Sequence, residues 1–327
     1  NIFLILLSSI LLSAPIQQDD VIKVAKNVIF EFFKIDPSNL IIDDIIKIGP
    51  QKTNLYIINF SPNGFAIISA DDRAYPILAF SIDNKINFEN IPIQLLKILN
   101  SWQEGIEYII NNNISASISI EAEWEKYLSS DLIYDSSRNL SPLISANWDQ
   151  GGAWNDMCPS NALVGCVAVS MAQVMYYWQY PQNGIGQNSY YHNDYGEIST
   201  DFSFSFYDYQ NMLDNQATNA SQLLLYDSGV SVNMDYGSNA SGAYVVWGAN
   251  SAINALVDHF QFNDDISAVY KSSYNDIQWA EVLKNELDQS RPIIIRAYDN
   301  SSGSGHAWNI DGYQGENHFH CNWGWGG

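Results

Sequence analysis

The chain has 327 residues, a formal net charge of -22, 46% hydrophobic residues and only 15% charged ones. It is long enough for two domains with separate cores and too apolar for a disordered chain. The few Lys and Arg form no basic patch or stripe, which excludes nucleic acid and anionic membrane as natural partners.

Residues 2–14 form an apolar run closed by Pro15 and the polar Gln17-Gln18-Asp19-Asp20. This reads as the hydrophobic region of a secretory signal peptide over 1–18, too short for a bilayer span. No second such run follows, so a stable membrane span is not expected. The exported product belongs outside the cell, or in the periplasm or at the cell surface. The start at Asn1, without Met or a basic leader, reads as an incomplete N-terminus.

From Asp20 to about Lys34, Val21, Val24, Ala25, Val28, Ile29, Phe32 and Phe33 recur at helical spacing. Leu55–Phe60, Gly64–Ala70 and Pro76–Ile82 then read as three short strands, the first two a hairpin across Ser61-Pro62-Asn63. Helical periodicity returns over Ile91–Ile110. A small α+β domain over 19–135 is therefore expected, followed by a polar linker within Tyr134–Asn139 and a second domain over 136–327.

The second domain opens on a loop over 150–165 and continues into a helix from Cys166 to about Trp178. Val167, Met171, Val174, Met175 and Trp178 share one face and read as core. A Tyr- and Phe-rich stretch over 190–209 precedes helices over about 216–230, 244–259 and 275–289. A strand over Pro292–Ala297 and paired strands over His306–Tyr313 and Phe319–Trp323 end the chain. There is no internal repeat.

Three cysteines, Cys158, Cys166 and Cys321, are too few for a disulfide framework, and at least one has no partner in the chain. Cys166 stands where a helix dipole and unpaired N–H groups favour thiolate, the reactive form. Gly165 beside it would let substrate and backbone approach closely. The plainer alternative is a small core residue ahead of a helix. A thiolate hydrolase needs an imidazole to pair with it and to protonate the leaving amine. Of five histidines, His306 in Gly303-Ser304-Gly305-His306-Ala307-Trp308-Asn309 is the candidate. It lies 140 residues after Cys166, within the roughly 130–150 that separate the pair in papain-type enzymes. Gln150, in the preceding loop, could complete an oxyanion hole with the Cys166 N–H. Asn322 could accept a hydrogen bond from the imidazole while Trp323 shields that bond. No motif points to a metal, nucleotide or other cofactor.

Gly165-Cys166-Val167-Ala168 with Met171-Ala172-Gln173-Val174-Met175-Tyr176-Tyr177-Trp178, then Gly305-His306-Ala307-Trp308-Asn309-Ile310-Asp311-Gly312-Tyr313, then Asn322-Trp323-Gly324-Trp325-Gly326-Gly327, resemble the streptopain family of secreted bacterial cysteine proteases. The resemblance implies a papain-like α+β fold, with a helical half and an antiparallel sheet half around a cleft. It implies protein or peptide substrates and matches Gln150 to the family's oxyanion glutamine. In that family tryptophans of the terminal motif shape the site, and the papain asparagine is not plainly reused, which makes Asn322 and Trp323 secondary candidates. Ser241 and Gly305 resemble positions that contact bound peptide. Tyr56-Ile57-Ile58-Asn59-Phe60, Gly64-Phe65-Ala66-Ile67-Ile68-Ser69-Ala70 and Pro76-Ile77-Leu78-Ala79-Phe80 resemble the family's propeptide, an intramolecular inhibitor removed by cleavage in the linker. The family continues beyond the terminal motif, so the chain reads as C-terminally truncated at Gly327. A papain-fold acyltransferase or cell-wall amidase, or a secreted binding protein that has lost turnover, are the other readings.

Overall fold

A computed structural model describes residues 16–50, 52–130, 139–299 and 304–327. The apolar leader and most of the expected linker lie outside the described residues. The chain separates into two compact units, one up to Asp135 and one from Ser136.

The first unit is a four-stranded antiparallel meander, in chain order, with helices on both faces. α1 (Gln18–Phe33) is followed by β1 (Ile41–Ile48), β2 (Leu55–Ser61), β3 (Phe65–Ser69), β4 (Ile77–Ser81), α2 (Ile93–Asn111) and α3 (Ile118–Leu128). Alternation explains the sheet's two faces. Tyr56, Ile58 and Phe60 of β2 pack with Val24, Val28 and Trp124 from α1 and α3. Leu55 and Ile57 face Leu99 and Ile106 of α2. A strand covered on both sides reads as a continuous apolar run, which is why β2 is legible without alternation. β1 was not expected, because its paired Ile-Ile-Asp-Asp-Ile-Ile pattern fits neither period. A register shift between Ile42 and Asp44 resolves it. The irregularity returns Ile42 and Ile45 to one face, while Ile46 and Ile48 serve the other. α3 is tied to α1 by Asn27 Nδ2 donating to the Tyr127 carbonyl at 2.7 Å and by a 2.7 Å Lys126–Glu31 ion pair.

The second unit contains β5 (Asn139–Leu140), α4 (Cys166–Trp178), β6 (Gln187–His192), β7 (Gly196–Asp201), α5 (Asn219–Ser231), α6 (Ala252–Asp258), α7 (Asp276–Leu287), β8 (Ile293–Asp299), β9 (Ser304–Gln314) and β10 (His318–Asn322). β9 is the spine of an antiparallel sheet: β10 pairs along one edge, and β8 and then β5 share the other. α4 is buried from Cys166 through Met175. A helix apolar nearly all round must sit centrally, and α4 packs among α5, α6, β8 and β9. Two differences from the sequence reading are local. The helix expected over 244–259 begins only at Ala252, with Ser251 as its N-cap, and Gly248 in the preceding turn has φ +91°, outside helical geometry. The Tyr-rich stretch contains the β6–β7 hairpin, closed at Gly196 with φ +75°.

Candidate active site

The approach to α4 is set by Gly165, the helix N-cap, at φ +91°. A Cβ there would lie 2.6 Å from Met234 Sδ and 3.3 Å from Ser241 Cβ, so only glycine suits both the backbone conformation and the packing. The loop before it is fastened at three points. Val164 N–H donates to the Gln150 carbonyl at 2.9 Å, Leu163 N–H to the Gly237 carbonyl at 3.0 Å, and Ser241 Oγ to the Leu163 carbonyl at 2.6 Å. Cys166 thus enters the first helical turn on a rigid element, 7% exposed. Its sulfur accepts the Ala307 N–H at 3.4 Å, which brings the residue after His306 to the thiol. Burial pushes the Cys166 pKa up, while the N–H groups of Ala307, Val167 and Cys166 itself act to lower it.

His306 is buried near the start of β9. Its Nε2 lies 3.0 Å from the Trp323 carbonyl oxygen. A carbonyl only accepts, so Nε2 carries the proton, and in the neutral ring Nδ1 is then a bare acceptor. That Nδ1 is buried with no hydrogen-bond partner among the described residues. Three tryptophans hold the ring's plane. Trp325 stacks at 4.3 Å between centroids, Trp308 at 5.9 Å and Trp323 at 6.0 Å, all within 17° of parallel. Desolvation in this stack pushes the His306 pKa down to about 4, opposed by the Trp323 carbonyl. Thiol and imidazole are therefore both biased toward their neutral forms.

Gln150 is 3% exposed, and neither Nε2 nor Oε1 of its amide has a partner among the described residues. Its backbone is well held: the N–H donates to Asp149 Oδ1 at 2.6 Å and the carbonyl accepts from Val164, two residues before Cys166. A buried amide left unmade costs about 1–3 kcal/mol.

One expected role changes. Asn322 does not orient the imidazole. Its Oδ1 accepts from Gln173 Nε2 at 2.9 Å, and its Nδ2 donates to the Ala146 carbonyl at 2.8 Å. The reason is register: Asn322 is the cross-strand partner of Asn309, an odd number of residues from His306, and so belongs to the other face of β9. The orienting acceptor is the neighbouring backbone carbonyl of Trp323. The Ser241 hydroxyl donates to the Leu163 carbonyl and accepts the Gly237 N–H at 2.9 Å, bracing the loop before Cys166. Gly305 is exposed and extended in β9, where a Cβ would lie 3.1 Å from the Ala297 carbonyl oxygen.

The sequence reading missed the Ala307 N–H, the stacking of Trp308 and Trp325 on the imidazole, and the buried polar pair Gln173 and Asn309. Asn309 was visible as a polar residue between Trp308 and Ile310 in β9. A backbone donor leaves no trace in residue identity. Cavities of about 420 Å³ beside Ile46 and Leu99 and about 350 Å³ beside Tyr244 and Trp247 include neither Cys166 nor His306. All three cysteines are free thiols. Among the described residues no cluster of His, Cys, Asp and Glu could hold a metal ion, and no helix is long and apolar enough to cross a membrane.

Comparison with known proteins accounts for both units. Residues 148–327 match the Peptidase C10 family, and residues 18–106 match the family described as Spi protease inhibitor. Streptopain of Streptococcus pyogenes is 27% identical over 314 residues, covering 87% of this chain and 75% of that protein. The thiol protease/hemagglutinin PrtT of Porphyromonas gingivalis is 25% identical over 350 residues, 99% of this chain but 39% of that longer protein. Among solved structures, a prointerpain A fragment of Prevotella intermedia aligns with a TM-score of 0.68 at 28% identity, covering 87% of this chain and 89% of that one. Active interpain A cysteine protease from the same organism aligns with a TM-score of 0.52 at 33% identity, over 58% of this chain and 83% of that one. The fold is accordingly that of a papain-like cysteine protease with its prodomain. The chain belongs to the Peptidase C10 family and is a cysteine endopeptidase precursor whose N-terminal part is of the inhibitor type.

Proposed function

We propose that Cys166 is the nucleophile of this endopeptidase and His306 its base, with Gln150 and the Cys166 N–H as the oxyanion hole. The observation that carries the assignment is the division of the His306 ring. Nε2 is committed to the Trp323 carbonyl and Nδ1 is buried without a hydrogen-bond partner among the described residues, while the next residue's N–H rests on the Cys166 sulfur. Nδ1 takes the thiol proton as the sulfur attacks the scissile carbonyl carbon. The resulting oxyanion accepts from Gln150 Nε2 and the Cys166 N–H. Collapse passes the proton from Nδ1 to the leaving amine and gives a thioester; a water deprotonated by Nδ1 hydrolyses it, releasing the acid and restoring the thiol. The stacked tryptophans exclude water and keep Nε2–H on its carbonyl. Gly165 and Gly305, where a Cβ would meet Met234 and the Ala297 carbonyl, offer backbone rather than side chain to an extended peptide, and Ser241 braces the loop before Cys166.

The substrates are proteins or peptides, and residues 19–135 act as an intramolecular inhibitor removed by cleavage near 134–139. Residues 1–18 direct export. The inhibitor-type segment favours a protease over an acyltransferase, an amidase or an inert binding protein, none of which needs one. Purified precursor with Cys166→Ser should stay uncut and fail to hydrolyse casein, while the wild-type chain matures and loses activity on thiol alkylation. Casein hydrolysis at the wild-type rate by the serine variant would sink the assignment.

A further inference from the structure

Gln173, Asn309 and Asn322 form a buried amide cluster that the reaction does not use. Gln173 lies two helical turns after Cys166, on the same face of α4. Its Oε1 accepts from Asn309 Nδ2 at 2.9 Å; its Nε2 donates to Asn322 Oδ1 at 2.9 Å and to the Ala146 carbonyl at 3.0 Å. Asn309 Nδ2 also donates to the Ser170 carbonyl at 3.2 Å, and Asn322 Oδ1 also accepts the Gly324 N–H at 3.3 Å. One side chain thus ties the helix of the nucleophile to the strand of the base and to the segment that orients the base.

That third link matters most. β10 ends at Asn322, so Trp323, whose carbonyl holds His306 Nε2, lies beyond the last laddered residue. The register of β10 is already irregular between His320 and Cys321. The backbone ladder therefore does not fix the Trp323 carbonyl; the residues on either side of it, Asn322 and Gly324, are held through the Asn322 amide, and that amide is held by Gln173 and by the Ala146 carbonyl to which Gln173 also donates. We infer that Gln173 is a positioning residue for catalysis, acting with Asn309 and Asn322 to hold the Trp323 carbonyl on His306 and so keep Nδ1 aimed as a base. The inference rests on the assignment of Cys166 and His306 above.

The test uses the full chain, matured by an added serine protease that is then inhibited, with kcat, KM and the pH–rate profile measured on a peptide substrate. Gln173→Leu should lower kcat by about 10- to 100-fold with KM within about twofold, and should move the acid limb of the profile. Gln173→Glu keeps the acceptor for Asn309 but sets a carboxylate against Asn322 Oδ1 and the Ala146 carbonyl. Protonation restores one donor, so its kcat relative to wild type should rise as pH falls. Should Gln173→Leu not fold, Asn309→Leu removes the donor to Gln173 Oε1 together with an Oδ1 that has no partner among the described residues, and should still lower kcat several-fold. A folded Gln173 or Asn309 variant with wild-type kcat and pH profile, whatever its melting temperature, overturns the inference. If Cys166→Ser is inactive in the same assay, that failure concerns positioning alone; if Cys166→Ser is active, the underlying assignment has failed instead.

Discussion

Two sets of buried polar side chains border α4 and end in opposite states. Gln173 and Asn322 have their donors and acceptors matched to Asn309, Ala146, Gly324 and each other. Gln150 and the Nδ1 of His306 are also buried and have no hydrogen-bond partner among the described residues. Folded proteins pair buried polar groups almost without exception, and an unpaired one calls for an explanation. The matched set ties helix and strands together; for the unmatched set, the assignment proposed above supplies a substrate carbonyl and a thiol proton as partners. The same residue type, a buried Gln, thus has two meanings, distinguished only by its neighbours.

The comparison breaks first at the proposed nucleophile. Cys166→Ala should lose more than about 10³-fold in kcat/KM with an unchanged fold, measured by peptide hydrolysis and circular dichroism; retention of activity would empty the unmatched set of meaning. Gln150→Leu comes next, with kcat down by about 10²–10³-fold and a thermal midpoint equal to or above wild type, because a buried unsatisfied amide is removed. A large loss of stability would show instead that Gln150 is structural. Asn322→Leu should behave the other way, leaving the Ala146 carbonyl and Gln173 Nε2 short of partners at a cost of about 1–3 kcal/mol. That lowers the midpoint by several degrees in calorimetry, with a smaller effect on kcat than Gln150→Leu.

The smallest expected effect is the pH dependence of stability. His306 is held near pKa 4 in the folded chain, against about 6.5 when unfolded. The unfolded state binds the extra proton between these values, so this contribution is complete above about pH 6.5 and is lost as pH falls toward 4. Denaturant titrations across that window should show the slope, and His306→Phe should flatten it. An unchanged slope would mean that the imidazole is more solvated than its tryptophan stack implies.

Much of both units was legible where it is locally encoded. α4 runs from Cys166 to Trp178 as its apolar pattern implies, and β2 and β3 pair across the turn their residues suggest. β1 was not, since a register shift at Asp44 scrambles its alternation, and the 244–251 segment keeps a helical pattern that the Gly248 turn overrides. The motif pair around Cys166 and His306 could be picked out because thiol, imidazole and their glycines are side-chain identities at telling separations. By itself the amino-acid order determined which groups are available and on which elements. Only the tertiary structure decided which of them meet: register put Asn322 on the far face of β9, and a backbone carbonyl, the same in every residue, took the place expected of it.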